Sequence, residues 1–181
     1  MPNQYDPKLL PDIIRPVQEG RADVVLGSRL MVGNPMRQGM PWWKYFANRL
    51  LTWIENVTFG LDLAEYHTGY RAFGREVLEG VNLETNSDNF IFDQEIIAQL
   101  VGLKARIVEV PVPTRYFPQA SSASFVQSSI YGLSLLWLLV RYELHHARLV
   151  RQRQFEGLRS RYKGVAAEPQ RPAPGLDLPP D

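Results

Sequence analysis

Twice in this chain a helical spacing of apolar residues gives way to a strand-like one within a few positions. No other feature restricts the fold as much. In the first case Leu9, Leu10, Ile13, Ile14 and Val17 supply one helical stripe, behind Asp6-Pro7 as cap and first-turn pair. Gly20 ends it, and Ala22-Asp23-Val24-Val25-Leu26-Gly27 follows as a short strand with a continuous apolar centre, the pattern of a buried parallel strand. In the second, Phe92, Ile96 and Leu100 share a face with Ile97 and Val101 beside them. Asp88 is the expected cap and Gly102 the expected stop. Arg106 to Val112 is then β-branched and leaves the sheet through Pro111 and Pro113. Helix followed by strand, repeated, implies an α/β layer structure.

The elements between these units are legible at lower contrast. Trp42 to Phe59 reads as an aromatic-rich helix, with Phe46, Leu50, Trp53, Ile54 and Val57 as its expected core face and Lys44, Asn48 and Arg49 opposite. Such a helix either packs on a sheet or lies near a membrane surface. Tyr70 to Phe73 alternates as a short strand, and Glu76 to Val81 as a short helix. A serine-rich loop, Ser121-Ser122-Ala123-Ser124, precedes a long helix expected from Phe125 to about Arg161. Ile130 to Val140 is almost wholly apolar but well short of the ~20 residues that span a bilayer. A basic run follows it. Apolar first and basic second fits an interfacial helix on anionic lipid, or equally a helix packed on a partner. Residues 164–181 are Pro- and Ala-rich and read as a disordered tail.

Composition removes several function classes. With 181 residues the chain can bury one proper core. Net charge is +1, so no global field argues for nucleic acid as a partner. There is no cysteine, which removes disulfides and thiolate metal sites, and His67, His145 and His146 have no metal-ligand spacing. The sequon Asn56-Val57-Thr58 falls inside the aromatic helix and reads as chance.

Candidate chemistry lies where the strands end. Gly27-Ser28-Arg29 follows a strand, where open α/β sheets bind ligands; Arg29 is either a fork for phosphate or a plain surface arginine. Asp93 and Glu95 are candidate catalytic carboxylates for an acid/base step, or they simply solvate the polar face of their helix. Arg115 and the hydroxyls of Ser121 and Ser122 are further candidates for holding a phosphate.

Five segments, in order, carry a resemblance: Gln4 to Pro7, Asp23 to Arg29, Thr68 to Phe73, Phe90 to Glu95, and Glu109 to Tyr116. Over about residues 3–140 the chain resembles family 2 glycosyltransferases, most of all the dolichyl-phosphate mannose synthase-like branch. That resemblance implies the C-terminal part of a GT-A, Rossmann-like sheet over residues 1–123. Residues 124–163 would then form a membrane-interfacial helix. It implies transfer of a sugar from a nucleotide sugar donor to an acceptor such as a polyprenyl phosphate, with a divalent cation (Mg or Mn) on the diphosphate. Of the family's Asp-X-Asp-X-Gln metal motif only the glutamine has a counterpart, Gln4; the second acidic position falls on Pro2. The nucleotide-binding strands have no counterpart, so the resemblance implies an N-terminally truncated chain whose missing half comes from a longer start or another chain. By the same resemblance Arg29, Lys44, Asn48 and Arg115 contact phosphate, and Ser121 and Ser122 lie in a closing loop. Asp93 acts at the acceptor, with Glu95 as alternative. The expected location is cytoplasmic, peripheral at the inner face of the membrane. The alternative is a non-catalytic membrane- or partner-binding fragment of the same fold.

Overall fold

A computed structural model describes residues 6–33, 35–36, 40–113 and 125–158. Gln4, Arg115, Ser121, Ser122 and the 164–181 tail lie outside the described residues. The sheet has three strands in the order β2-β1-β3. Strand β1 (Val24–Ser28) is central and buried along its whole length. It pairs parallel with β3 (Ile107–Pro111) and antiparallel with β2 (Arg71–Phe73). The sheet is therefore mixed, and the α/β expectation is met in that coarse form. At the head of the β1–β3 pair Asp23 clamps Arg106 through Nε (3.0 Å), Nη2 (2.7 Å) and the backbone N–H (2.7 Å).

Alternation along β1 sends its side chains to two cores. Val25 faces helix α1 (Leu10–Gln18), packing with Ile13, Ala22 and Val112. Val24 and Leu26 face the larger core, built with Ile96, Ile97 and Leu100 of α4 (Phe92–Gly102) and Leu135, Leu138 and Leu139 of α5 (Phe125–His146). Between β1 and α4 come α2 (Trp42–Phe59) and the short α3 (Arg75–Leu78). Gly27 is required by crowding. A Cβ there would lie 2.8 Å from Val112 Cγ2 and 3.1 Å from the Tyr70 carbonyl oxygen.

Three local expectations change. Asp6 caps a 3-10 turn, Pro7–Leu9, through the Lys8 N–H, and α1 proper starts at Leu10. Asp88 caps nothing: residues 88–91 turn, and α4 begins at Phe92. The third change is larger. Helix α5 stops at His146 rather than near Arg161. Arg148 adopts a left-handed φ of 59°, and the N–H groups of Leu149 and Val150 both return to the Leu144 carbonyl (2.9 and 3.1 Å). The chain then folds back. Phe155 packs on Tyr142, Gln154 accepts from Arg141 Nη2 (2.6 Å), and the Leu158 N–H donates to the Gly80 carbonyl (3.0 Å).

Helix α2 reverses its expected orientation. Asn48, Thr52 and Glu55 are buried, whereas Phe46, Leu50, Trp53 and Val57 are 57–67% exposed; of the expected core face only Ile54 packs inward. Helix α5 is apolar on both sides. Leu135, Leu138, Leu139 and Tyr142 are buried, and Val126, Ile130, Leu133, Trp137 and Val140 form an exposed stripe at i, i+4, i+7, i+11 and i+14. The two helices contact each other, with Leu51 Cδ1 close to Gly132. No helix among the described residues is long and apolar enough to cross a membrane.

Candidate functional site

The polar face that α2 turns inward meets the end of β1 and the loop Leu61–Tyr70. Arg29, the first residue past β1, is held there by Glu65. The Arg29 backbone N–H (2.9 Å) and Nε (3.1 Å) donate to Glu65 Oε2, and Nη2 donates to Oε1. Nη2 also donates to the His67 carbonyl (2.7 Å). Asn48 Nδ2 donates to Glu65 Oε1 (3.1 Å), and Thr52 Oγ1 donates back to Asn48 Oδ1 (3.2 Å). Glu65 is fully buried, and both of its carboxyl oxygens are paired and hydrogen-bonded, as a buried acidic group requires. Lys44, one turn before Asn48, is half-buried. Burial, and then the Arg29 charge, hold its ammonium below the usual lysine range. Among the described residues Lys44 has no anionic partner. Of the residues expected to hold a phosphate, Arg29, Lys44 and Asn48 are thus brought to one corner.

The loop bearing Glu65 is itself fixed from several sides. Glu109 on β3 accepts the N–H groups of Ala64 (2.6 Å) and Glu65 (3.0 Å). Burial still pushes its carboxyl upward, those two bonds opposing the shift. Asn56 of α2 pairs with both backbone groups of Leu63 and accepts from the Tyr66 hydroxyl (2.9 Å), so the sequon asparagine is engaged internally. Arg71 spans the loop's far end, donating to the carbonyls of Thr68 (2.6 Å) and Tyr66 (3.0 Å).

His67 is where three helices meet. Gln94 Nε2 of α4 and the Tyr131 hydroxyl of α5 lie 3.1 and 3.0 Å from its Nδ1. With Gln94 donating, Nδ1 accepts and the neutral ring carries its proton on Nε2. Nε2 lies 3.3 Å from Glu55 Oε2 on α2. Burial lowers the His67 pKa to about 4 and raises the Glu55 carboxyl well above the carboxylate range, with Arg71 opposing the latter. Both shifts favour the uncharged forms, which lowers the cost of burying a carboxyl whose oxygens have no hydrogen-bond partner among the described residues.

Asp93 and Glu95 do not share this corner's chemistry. Glu95 is buried and accepts the Ser87 N–H (2.7 Å) and hydroxyl (2.9 Å), which ties down the loop before α4. Asp93 is half-exposed at 3.8 Å from Arg71 Nη2, while Arg71 Nη1 donates to its carbonyl (3.0 Å). Sequence reasoning passed over Glu65, His67, Glu55 and Glu109. One signal for Glu55 was present: Asn48, Thr52 and Glu55 recur at i, i+4 and i+7 as a polar stripe opposite an apolar one. Among the described residues no cluster of three or more His, Asp or Glu side chains could hold a metal ion.

Comparison with known proteins agrees with the ordered motifs. The chain is 31% identical over 121 residues to a low-salt glycan biosynthesis hexosyltransferase of Haloferax volcanii, covering 66% of this chain and 28% of that protein. It is 27% identical over 153 residues to the undecaprenyl-phosphate mannosyltransferase of Micrococcus luteus, covering 80% of this chain and 60% of the relative. To the polyprenol monophosphomannose synthase of Mycolicibacterium smegmatis it is 28% identical over 109 residues, 60% of this chain and 40% of the relative. The resemblance to glycosyltransferases is borne out, and this chain spans less than two thirds of the length of each of these relatives. No family model and no solved structure matches it.

Proposed function

We propose that this chain is the acceptor-side part of a glycosyltransferase that moves a sugar from a nucleotide sugar to a polyprenyl phosphate at a membrane surface. One observation carries the reading: two cations and an amide, Arg29, Lys44 and Asn48, meet on the buried side of a helix whose other side is aromatic and exposed. A phosphate joined to a long apolar chain needs both environments side by side. The phosphate would take Lys44 and the Asn48 amide. Arg29 would add its field from an orientation that Glu65 and the His67 carbonyl keep fixed. With Glu65 included the corner is singly positive, which suits capture of an anion without excessive desolvation of two bare cations. A phosphate acceptor is already anionic, so the corner needs no general base. The exposed faces of α2 and α5 would rest on lipid, giving a peripheral location on the cytoplasmic side.

A divalent cation would neutralise charge developing on the nucleotide diphosphate. Its protein ligands are to be sought outside the described residues, Gln4 first. Arg115, Ser121 and Ser122, outside the described residues, are further candidates for the phosphates by the same resemblance.

The test is binding of farnesyl phosphate against farnesol in detergent, by calorimetry, on the native chain and on Lys44→Ala. The phosphate should bind more tightly than the alcohol. Lys44→Ala should lose roughly tenfold, the worth of one charge-assisted hydrogen bond. Equal binding of phosphate and alcohol, or no effect of Lys44→Ala, sinks the acceptor reading. Transfer is then assayed with GDP- and UDP-sugars, Mg or Mn, and polyprenyl phosphate vesicles, with and without a nucleotide-binding half. Vesicle binding without transfer in every combination would favour the non-catalytic, membrane-binding reading that the exposed apolar face also supports.

A further inference from the structure

A second cation-rich feature lies away from the Arg29 corner, where α5 ends. His145, His146, Arg148, Val150, Arg151 and Glu156 line a cleft of about 520 Å3. Three details distinguish it from an ordinary basic surface. First, Arg148 occupies the left-handed position that closes a helix, where glycine is the low-energy residue. Its N–H bonds the His145 carbonyl (2.9 Å). The same conformation closes α4 at Lys104 (φ 57°); here it turns the chain so that Arg148 lines the cleft. Second, His145 Nδ1 accepts the Gln152 N–H (3.1 Å), so its neutral ring must carry the proton on Nε2. The ring therefore offers an Nε2–H donor to the cleft. Third, among the described residues the one carboxylate lining the cleft, Glu156, pairs with Arg151 in an exposed contact that is weak and open to exchange. Arg141, by contrast, is committed to Gln154 and to the face of Phe155.

We infer that this cleft is a binding site for a phosphoryl anion, held by Arg148, Arg151 and the His145 Nε2–H, with Glu156 displaced from Arg151. The ligand is either a free phosphate compound or a phospholipid headgroup. The second source is within reach: Val140, the last residue of the exposed α5 stripe, precedes His145 by five residues, about 8 Å of helix. The site is separate from the acceptor corner, so Lys44→Ala leaves it intact.

The test uses the whole chain and two probes: inorganic phosphate, and vesicles of phosphatidylcholine with or without phosphatidylglycerol. The informative variant is Arg148→Gly combined with Arg151→Gln. Glycine suits the left-handed position, so Arg148→Gly alone should leave the thermal midpoint equal or higher. A purely structural role for Arg148 predicts the opposite. Inorganic phosphate should raise the midpoint of the native chain, and the double variant should weaken that binding about tenfold or more. Glu156→Gln, which frees Arg151, should strengthen it. Loss in the variant with phosphate alone assigns a soluble ligand. Loss with phosphatidylglycerol vesicles, with or without a phosphate response, assigns headgroups. If the double variant matches the native chain toward both probes, the inference is wrong.

Discussion

Removing the Glu65 carboxylate tests the reading of the Arg29 corner most directly. In Glu65→Ala the Arg29 guanidinium, only 12% exposed, loses its counter-ion and two side-chain bonds, its backbone N–H loses an acceptor, and Asn48 Nδ2 loses its partner. The His67 carbonyl remains for Nη2. Breaking one side of a buried ion pair costs about 3–5 kcal/mol, because the surviving charge stays buried after losing its counter-ion. A domain of this size has on the order of 5–15 kcal/mol in total. With a urea slope of about 2 kcal/mol/M, the midpoint should fall by about 2 M at nearly unchanged slope. Urea unfolding followed by tryptophan fluorescence reads this directly. Glu65→Gln should lose less than Glu65→Ala, since its amide oxygen still accepts while its NH2 opposes a guanidinium. Replacing both partners, Arg29→Met with Glu65→Leu, should recover most of the loss, giving a coupling of several kcal/mol. A Glu65→Ala midpoint within ~0.3 M of native, or additive losses in the double variant, would refute the argument that Glu65 holds Arg29 in place.

Other consequences follow from the same contacts. Glu55 has a raised pKa in the fold, so its ionisation destabilises the protein as pH climbs from about 4.5 through the folded value. Glu55→Gln should therefore exceed the native chain in stability at pH 8, the difference vanishing toward pH 4.5 in a pH series of unfolding curves. His67 acts in the other direction: its pKa of about 4 lies below the unfolded value of about 6.5, so stability complete above pH 6.5 should drain away between 6.5 and 4. His67→Gln should flatten that acid limb. Gly27→Ala should destabilise by about 1–3 kcal/mol in thermal melts, because the new methyl meets Val112 Cγ2 and the Tyr70 carbonyl below contact distance. Trp53→Ser with Trp137→Ser should leave the melting curve almost unchanged, since both rings are over 60% exposed. Flotation with vesicles should fall by roughly thirtyfold for each ring that half inserts, about 2 kcal/mol apiece.

Much of the fold was legible because its signals are local. The strand at Val24–Ser28 is continuous in apolar residues, and α2 runs from Trp42 to Phe59 as its composition suggested. The long C-terminal helix was misread for an equally local reason. Between His146 and Arg161 the one strong helix breaker by residue type, Gly157, lies well past the observed end, and the stop depends instead on Arg148 taking a conformation that arginine rarely adopts. The site was legible in part. Arg29, Lys44 and Asn48 were singled out, Glu65 and His67 were not, because a carboxylate's importance here comes from partners 36 and 17 residues away.

What the sequence determined by itself was the set of elements, their order, and the kinship with glycosyltransferases, since periodicity and ordered motifs are written along the chain. Which way the elements face was settled only in three dimensions. Helix α2 carries an apolar stripe and a polar stripe, and its own residues do not say which is inside. The answer came from what lies beneath it. Arg29 at the end of β1 and Glu65 in the following loop bring charge into the interior, and a buried charge needs polar neighbours more than a core needs another tryptophan. Asn48, Thr52 and Glu55 were therefore turned inward and the aromatic face outward, and that single rotation creates both the anion corner and the apolar surface beside it.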